Sequence, residues 1–201
     1  MLLWLRFCEA QKYLSNGASR KHLHNMQDTL QVLNAVKASP KDVGTLKLIV
    51  LRLPGEQRRT PTQAALSTQN GVEGDRWSLK SEPNPLSQVS VMNARFLEAI
   101  AGDAERMNLA GDNLIVDLDL SESNLPVGTR LRIGETVIEV TSLPHTACKK
   151  FHGRYGREAM ELANSTKGRA LRLRGLYARV ARGGEVHVGD SVCKEALPHV
   201  R

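Results

Sequence analysis

The sequence predicts a mainly β fold: a β-barrel that carries inserted helices and follows a helical extension. Short segments in which apolar and polar residues alternate succeed one another from residue 44 to residue 194, a pattern typical of barrel strands. Glycine-rich turns separate these segments, and helical spacing of apolar residues occurs in only a few short stretches. We therefore expect an N-terminal helical extension over residues 1–40 and a β-barrel domain over residues 41–197.

The extension contains an apolar stripe at spacings of three and four residues. Its members are Leu23, Met26, Leu30, Leu33 and Val36. This spacing predicts a helix whose apolar face packs on the barrel or on another subunit. Ser39-Pro40 should end the helix, because proline cannot continue it.

The barrel elements can be assigned in chain order. Strand patterns occupy residues 45–53, 63–67, 88–92, 111–117 (a turn that enters a strand), 129–133, 136–143, 170–181, 185–188 and 191–194. Asn93 is expected to cap a helix that runs to Ala101, and a second helix is predicted over residues 157–163. Gly134-Glu135 and Gly183-Gly184 each predict a hairpin turn.

The composition indicates a soluble domain. The chain has 201 residues, 41% of them hydrophobic, which suits one domain with a sizeable core. Three cysteines at unrelated positions do not form a disulfide framework, so a reducing compartment is favoured. The apolar stretch at residues 1–8 lacks the flanks of a signal peptide, and no run approaches the roughly 18 apolar residues of a membrane span. We therefore expect a cytoplasmic protein without a membrane partner.

Positive charge is concentrated in the last third of the chain. The net charge is +7, and residues 144–182 carry ten basic and two acidic side chains. Such a surplus indicates an anion site, either for nucleic acid or for a phosphorylated ligand. Aromatic residues make up only 4% of the chain, so a stacking platform for single-stranded nucleic acid is poorly supplied. A nucleic-acid-binding module is therefore the less favoured alternative.

Cys148 lies between a predicted strand and a predicted helix, in cationic surroundings. His145, Lys149, Lys150 and Arg154 are close to it in the sequence. Neighbouring cations and helix N–H groups lower the pKa of a cysteine from about 8.5 towards about 3.5–7.5. A thiolate is both a nucleophile and a soft metal ligand, so Cys148 is predicted to be the reactive group, although most free cysteines are inert core residues.

The residues around Cys148 allow two other arrangements. His145, Cys148 and His152 have the spacing of zinc ligands on one helix face, but Pro144 and Gly153 argue against a continuous helix there. A Cys–His hydrolase is also conceivable, but no local protease signature surrounds the cysteine. Both arrangements stay minor alternatives.

Several short motifs occur in order between residues 44 and 194. They are Gly71-Val-Glu-Gly-Asp75, Gly111-Asp-Asn-Leu114, Leu125-Pro-Val-Gly128, Pro144-His-Thr-Ala-Cys148 with Lys149-Lys150-Phe151, Gly168-Arg-Ala-Leu-Arg-Leu-Arg-Gly-Leu-Tyr-Ala-Arg-Val180 and Gly183-Gly-Glu-Val-His-Val-Gly-Asp190. Each is unspecific alone, but the ordered set resembles the MOSC domain, named for the C-terminal domain of molybdenum cofactor sulfurase. The resemblance is to small stand-alone bacterial members, and it implies a β-barrel with irregular connections.

The resemblance implies two roles for Cys148. One is to ligate molybdenum in a bound molybdenum cofactor (molybdopterin), with reduction of N-hydroxylated compounds by electrons from a separate redox partner. The chain needs that separate donor because it has too few cysteines for an appended iron–sulfur domain. The other role is that of a sulfur carrier, which accepts persulfide sulfur from a cysteine desulfurase. Pyridoxal phosphate is then expected on the desulfurase rather than on this chain.

We favour cofactor binding, because a simple carrier has little need of the basic segment, which is residues 144–182. Whether the chain is an oxidoreductase or a sulfur transferase stays open at this point. His145 is expected to shuttle a proton or to orient the thiolate. Candidate cofactor-binding residues are Lys149, Arg169, Arg172, Arg174, Asn113 and Asp75. Arg172 and Arg174 are predicted on one face of a strand, where their guanidinium groups could hold the cofactor's phosphate.

Overall fold

The computed structural model describes residues 26–195. Its helices are α1 (Met26–Lys37), α2 (Ala94–Ala101), α3 (Lys149–Tyr155), α4 (Arg157–Asn164) and α5 (Thr166–Ala170). Its strands are β1 (Val43–Ile49), β2 (Leu51–Arg52), β3 (Arg58–Arg59), β4 (Gln63–Ser67), β5 (Gly71–Val72), β6 (Val89–Asn93), β7 (Leu114–Asp117), β8 (Arg130–Ile133), β9 (Thr136–Val140), β10 (Leu176–Arg182), β11 (Gly184–His187) and β12 (Ser191–Lys194). Short 3-10 turns occur at Pro54–Glu56, Pro85–Ser87 and Ala104–Ala110.

Seven strands of the described residues close a barrel, as the sequence predicted. The order around it is β1-β12-β8-β9-β10-β6-β7, and β7 pairs back to β1. The β6–β7 pair is parallel and its strands are joined through α2, whereas the other barrel pairs are antiparallel. The first strand pairs with the last, with Val43 opposite Cys193. The two ends of the barrel domain therefore meet at one seam.

Alternation along the strands fills the barrel. In β8, Leu131 and Ile133 are buried while Arg130 and Arg132 are exposed, because successive strand residues point to opposite faces. The predicted turn at Gly134-Glu135 is confirmed: Ile133 and Thr136 face each other across it, and Gly134 adopts φ 53°. Glycine suits this position because it enters the left-handed region without a steric penalty.

The second predicted hairpin is wrong. Gly183 and Gly184 do not turn β10 back on itself, because β11 pairs with β4 in a separate three-stranded sheet. A Cβ atom on Gly183 would lie 2.8 Å from the carbonyl oxygen of Leu66 in β4. The glycine therefore permits a close approach between two strands that are distant in sequence.

The helices form a second apolar layer outside the barrel. In α1 the buried residues are Val32, Leu33 and Val36, whereas Leu30 is 53% exposed. The buried face of α1 is thus rotated around the helix relative to the predicted stripe, and Leu30 lies outside that face. Helix α1 ends at Lys37, just before the predicted Ser39-Pro40 stop. Leu23 and the rest of the first 25 residues lie outside the described part.

Asn93 ties helix α2 to the barrel. Its Oδ1 accepts a hydrogen bond from the Phe96 N–H at 3.1 Å, which confirms the predicted N-cap. Its amide also donates to Ser39 Oγ at 2.9 Å and to the Leu118 carbonyl at 2.8 Å. Because Ser39 follows α1, one buried amide joins α1, α2 and the segment after β7. Across residues 26–195, the helices fall short of the length and apolar character that a membrane span requires.

Candidate functional site

Cys148 lies at the N-terminus of helix α3, at the corner where the chain leaves the barrel. The strand before it ends at Val140, and residues 141–148 continue without regular structure. Asn164 holds this segment in place: its Oδ1 accepts from the Ala147 N–H at 3.0 Å, and its Nδ2 donates to the Ala147 carbonyl at 2.9 Å. Helix α3 itself was not predicted, because Gly153 interrupted the sequence pattern. The predicted strand-to-helix position of the cysteine is nevertheless correct.

The surroundings of Cys148 favour its thiolate form. The residue is exposed and occupies the N-cap position, although its side chain closes no cap hydrogen bond. Partial burial opposes ionisation, but the backbone N–H groups of Phe151 and Lys150 and the guanidinium of Arg174 outweigh it and lower the pKa of the thiol. A cysteine in this setting is a better nucleophile and metal ligand at neutral pH than an ordinary surface cysteine.

A cleft of about 140 Å³ opens beside Cys148. Its charged lining residues are Arg52, Arg58, Arg76, Arg154, Arg174 and Lys150. Three of them lie in the basic segment, and the other three come from before residue 77. The fold therefore gathers cations from two distant parts of the chain around one thiol, which makes this cleft the candidate site.

Arg52 is held in the cleft wall by a buried carboxylate. Its Nε and Nη2 both bond to Asp75, the shortest contact being 2.7 Å, and its backbone N–H donates to the same side chain. Asn113 Nδ2 donates to Asp75 Oδ2 at 2.9 Å. Burial alone would raise the pKa of Asp75, but bonds from Arg52 lower it. The predicted residues Asp75 and Asn113 thus lie buried behind Arg52 and do not line the cleft.

Two guanidinium groups in the cleft carry buried donors that no acceptor within residues 26–195 satisfies. Arg174 Nη1 bonds to Asp112 Oδ2 at 2.6 Å, and its guanidinium lies 5.0 Å from the centre of the Phe151 ring. Arg58 Nη1 donates to the carbonyls of Glu56 and Gln57, both at 2.9 Å. The Nε atoms of Arg58 and Arg174 are buried and meet no hydrogen-bond acceptor in the described residues. Since buried donors are nearly always paired, these atoms mark a place for an acceptor.

Two cations on helix α3 form the rim of the cleft. Lys150 and Arg154 are one helical turn apart, and both pair with the carboxylate of Glu56. Arg154 Nη1 also donates to the Leu109 carbonyl at 2.7 Å. Arg76, by contrast, makes no side-chain hydrogen bond or ion pair within residues 26–195. Among the cleft cations of the described residues, Arg76 is therefore the one whose side chain no protein acceptor engages.

His145 lies between this cleft and a larger one, with its ring stacked on Tyr177 at 4.1 Å. Burial lowers the pKa of the imidazole well below its ordinary value, and Arg174 and Arg52 add to the effect. His145 is therefore neutral at pH 7. Its Nδ1 lies 3.6 Å from Asp112 Oδ1, and both atoms are buried and have no hydrogen-bond partner in the described part of the chain.

The second cavity has a volume of about 320 Å³ and shares His145 and Arg174 with the first. Arg169 and Arg172 line it. The predicted strand over residues 170–181 is wrong in its first half, which includes Arg172, and is confirmed from residue 176 as β10. Arg169 belongs to α5, and Arg172 lies in a turn with φ 47°, where its Nη1 donates to the Leu125 carbonyl at 2.6 Å. Ser165 caps α5 by accepting from the Gly168 N–H, so the chain turns here instead of extending.

Lys149 is exposed and lines neither cavity. The zinc alternative finds no support, because residues 26–195 contain no group of three potential ligands that could hold a metal ion. Asp112 was not predicted as a site residue, although the adjacent Asn113 was. The signal that could have identified it is an acidic residue in the same glycine turn, available to pair with an arginine of the basic segment.

The fold and the site define a class: a closed β-barrel protein with a cysteine in an arginine-lined cleft. A family model described as "MOSC domain" matches residues 78–193, which is more than half of the chain. The chain belongs to the MOSC domain family.

Solved structures with a similar fold have low sequence identity to this chain. A crystal structure described as that of a hypothetical protein has 22% identity and a TM-score of 0.50, over 78% of this chain and 67% of that one. The YuaD protein from Bacillus subtilis has 14% identity and a TM-score of 0.48, over 75% of this chain and 94% of that one. YiiM from Escherichia coli has 22% identity and a TM-score of 0.47, over 76% and 71%. No curated protein matches the chain.

Proposed function

We propose that the cleft beside Cys148 binds molybdenum cofactor, with the Cys148 thiolate as a ligand to the metal. The observation that carries the proposal is the pair of buried Nε donors of Arg58 and Arg174, which lie in the same cleft as an activated thiol. An anionic ligand would supply the acceptors that these donors lack. The family to which the chain belongs supports molybdenum cofactor as that ligand.

The chemistry of the lining fits both ends of such a cofactor. A thiolate is a soft ligand and suits the metal. Guanidinium groups present paired N–H donors that match phosphate oxygens, and several of them meet here. His145 and Arg174 line both cavities, so the 320 Å³ cavity lies next to the 140 Å³ cleft.

The chain's own residues would then have distinct tasks. Cys148 would hold the metal, and the arginines would hold the phosphate and exclude bulk water from it. His145 is a neutral, buried imidazole, so it can accept a proton at the wall of the site. The bound group supplies two-electron redox chemistry, and the resemblance favours N-hydroxylated compounds as the substrates, with electrons from a separate donor. Asp75 and Asn113 contribute by fixing Arg52.

One observation favours a second function, that of a sulfur carrier. Cys148 is exposed, so a partner enzyme can reach its sulfur. In that case the thiolate attacks the outer sulfur of a desulfurase persulfide, the S–S bond of the donor breaks, and the donor cysteine leaves as a thiolate. Cys148 then carries a persulfide, with no net oxidation of the pair. This function leaves the orphaned arginine donors unexplained, which is why we rank it second.

The test is molybdenum and pterin analysis of the full chain, purified from a host that makes the cofactor. We expect both in the wild-type protein and loss of molybdenum from Cys148→Ser. Arg58→Met should retain much less pterin, whereas its neighbour Arg59→Met should not, because Arg59 does not line the cleft. Absence of the cofactor, together with a persulfide on Cys148 after incubation with a cysteine desulfurase and cysteine, would overturn the ranking.

A further inference from the structure

A short turn places a carboxylate on the rim of the cysteine cleft. The Pro54–Glu56 turn has left-handed backbone at Gly55, with φ 68°, and at Glu56, with φ 61°. A residue other than glycine is uncommon in this region, because its Cβ crowds the backbone. The conformation has an energetic cost, and it presents the Glu56 side chain to helix α3.

The carboxylate of Glu56 forms ion pairs with both rim cations, Lys150 and Arg154, at the same time. One of its oxygens pairs with Lys150 Nζ, and the other accepts from Arg154 Nη2 at 3.1 Å. Both cations line the cleft of Cys148. The side chain of Glu56 is 49% exposed, so its carboxylate can return to water at little cost. The backbone carbonyl of Glu56 also accepts from Arg58 Nη1, so the same turn occupies a third cation of the cleft.

We propose that Glu56 is an internal competitor for the anion site, which a phosphate-bearing ligand must displace from Lys150 and Arg154. Carboxylate and phosphate oxygens are interchangeable acceptors for these two side chains, so both anions cannot hold the same donors at once. Displacement of the Glu56 carboxylate frees Lys150 Nζ and Arg154 Nη2 for the ligand. The inference rests on the proposed function, because it takes the cleft to be a phosphate site.

Inorganic phosphate is a suitable probe, with the full chain produced in a host that cannot make the cofactor. Its affinity is measured by calorimetry at low ionic strength for the wild-type protein, Glu56→Gln and Glu161→Gln. Glu161 is a matched control, since it is an exposed glutamate paired with Arg157 on α4 and outside the cleft. We expect Glu56→Gln to tighten phosphate binding by about three- to tenfold, a range that suits two exposed ion pairs, and Glu161→Gln to change it by less than about twofold.

A double-variant background identifies the cations involved. In protein carrying Lys150→Met and Arg154→Met, Glu56→Gln should no longer change phosphate affinity. A second readout is the pKa of the Glu56 carboxyl group, followed by carbon NMR. It is lowered in the free protein, chiefly by Lys150, and should rise towards its ordinary value when phosphate is bound.

The outcomes separate this inference from the proposed function. If wild type, Glu56→Gln and Glu161→Gln bind phosphate with equal affinity, the proposal that Glu56 competes for the site is refuted. The proposed anion site is not refuted by that result. The same is true if the Glu56 pKa does not respond to saturating phosphate. Failure of every variant to bind phosphate overturns the competitor and the proposed anion site together.

Discussion

Replacing Arg174 with methionine should destabilise the protein strongly. Arg174 Nη1 lies 2.6 Å from Asp112 Oδ2, and the Asp112 side chain has no exposed surface. Methionine fills similar space but leaves Asp112 as a buried charge without a partner. Removing one member of a buried ion pair costs about 3–5 kcal/mol. In a chain of this size, that loss lowers the melting temperature by roughly 6–20 °C. A role confined to ligand binding would leave the melting temperature almost unchanged.

The loss should depend on pH in a defined direction. Burial raises the pKa of Asp112 above its unfolded value, while the charge of Arg174 opposes that rise. Removing Arg174 therefore raises the folded pKa further. An acid whose folded pKa is raised costs no stability below its unfolded pKa of about 3.9; the cost grows as the pH rises from that value to the folded pKa and is constant above it. The deficit of Arg174→Met relative to wild type should thus be larger at pH 8 than at pH 5.

Urea denaturation followed by circular dichroism, at pH 8 and pH 5, measures both effects. Arg179→Met is the matched control, because Arg179 pairs with Glu139 on the surface and its side chain is 56% exposed. That control should lose less than about 1 kcal/mol. Changing Asp112 to leucine together with Arg174→Met should recover most of the loss, since no unpaired charge then stays buried. A deficit below about 1 kcal/mol at pH 8, or a larger deficit at pH 5, would refute the reasoning.

Three further predictions concern separate parts of the molecule. Iodoacetamide should modify Cys148 at a lower pH than Cys193, because the pKa of the Cys148 thiol is lowered. Peptide mass mapping of the modified protein across pH measures this difference, and identical pH profiles for the two cysteines would contradict it. Gly175→Ala should lower the melting temperature severely, because the residue has φ 98° and a Cβ there would lie 2.2 Å from a carbonyl oxygen of β6; melting as in wild type would show that the strand can yield. Val36→Ala should lower the free energy of unfolding by roughly 1–3 kcal/mol and Leu30→Ala by less than about 0.5 kcal/mol, and equal losses in urea denaturation would place the buried face of α1 elsewhere.

Local signals in the sequence were enough to predict the β8–β9 hairpin. The alternation on either side of Gly134-Glu135 and the turn itself lie within a dozen residues. The segment around Arg172 shows where such signals fail, since it alternates like a strand but folds as a helix and a turn. A Cβ on Gly168 would lie 2.0 Å from the carbonyl oxygen of Leu162, so this glycine permits packing that alternation cannot reveal.

The position of Cys148 in the candidate site could be predicted from the sequence, but the arginines around it could not. The cationic neighbours of Cys148 made the thiol a candidate, because they are close to it in the sequence. Residues 42–143 carry ten basic and fourteen acidic side chains, so a charge count conceals the arginines that this part contributes to the cleft. Arg52 joins the cleft through its pairing with Asp75, a contact between residues whose proximity only the fold creates.

The seam between β1 and β12 has a consequence for how the protein is made. Val43 faces Cys193, so the barrel cannot close until almost the whole domain has left the ribosome. Pairings between distant residues slow folding, because the chain loses much freedom before the contacts compensate for it. Until then β1 and β8, which flank β12 in the barrel, each expose an unpaired strand edge, which is where partly folded chains associate wrongly. The nascent chain is therefore most exposed to aggregation just before β12 emerges.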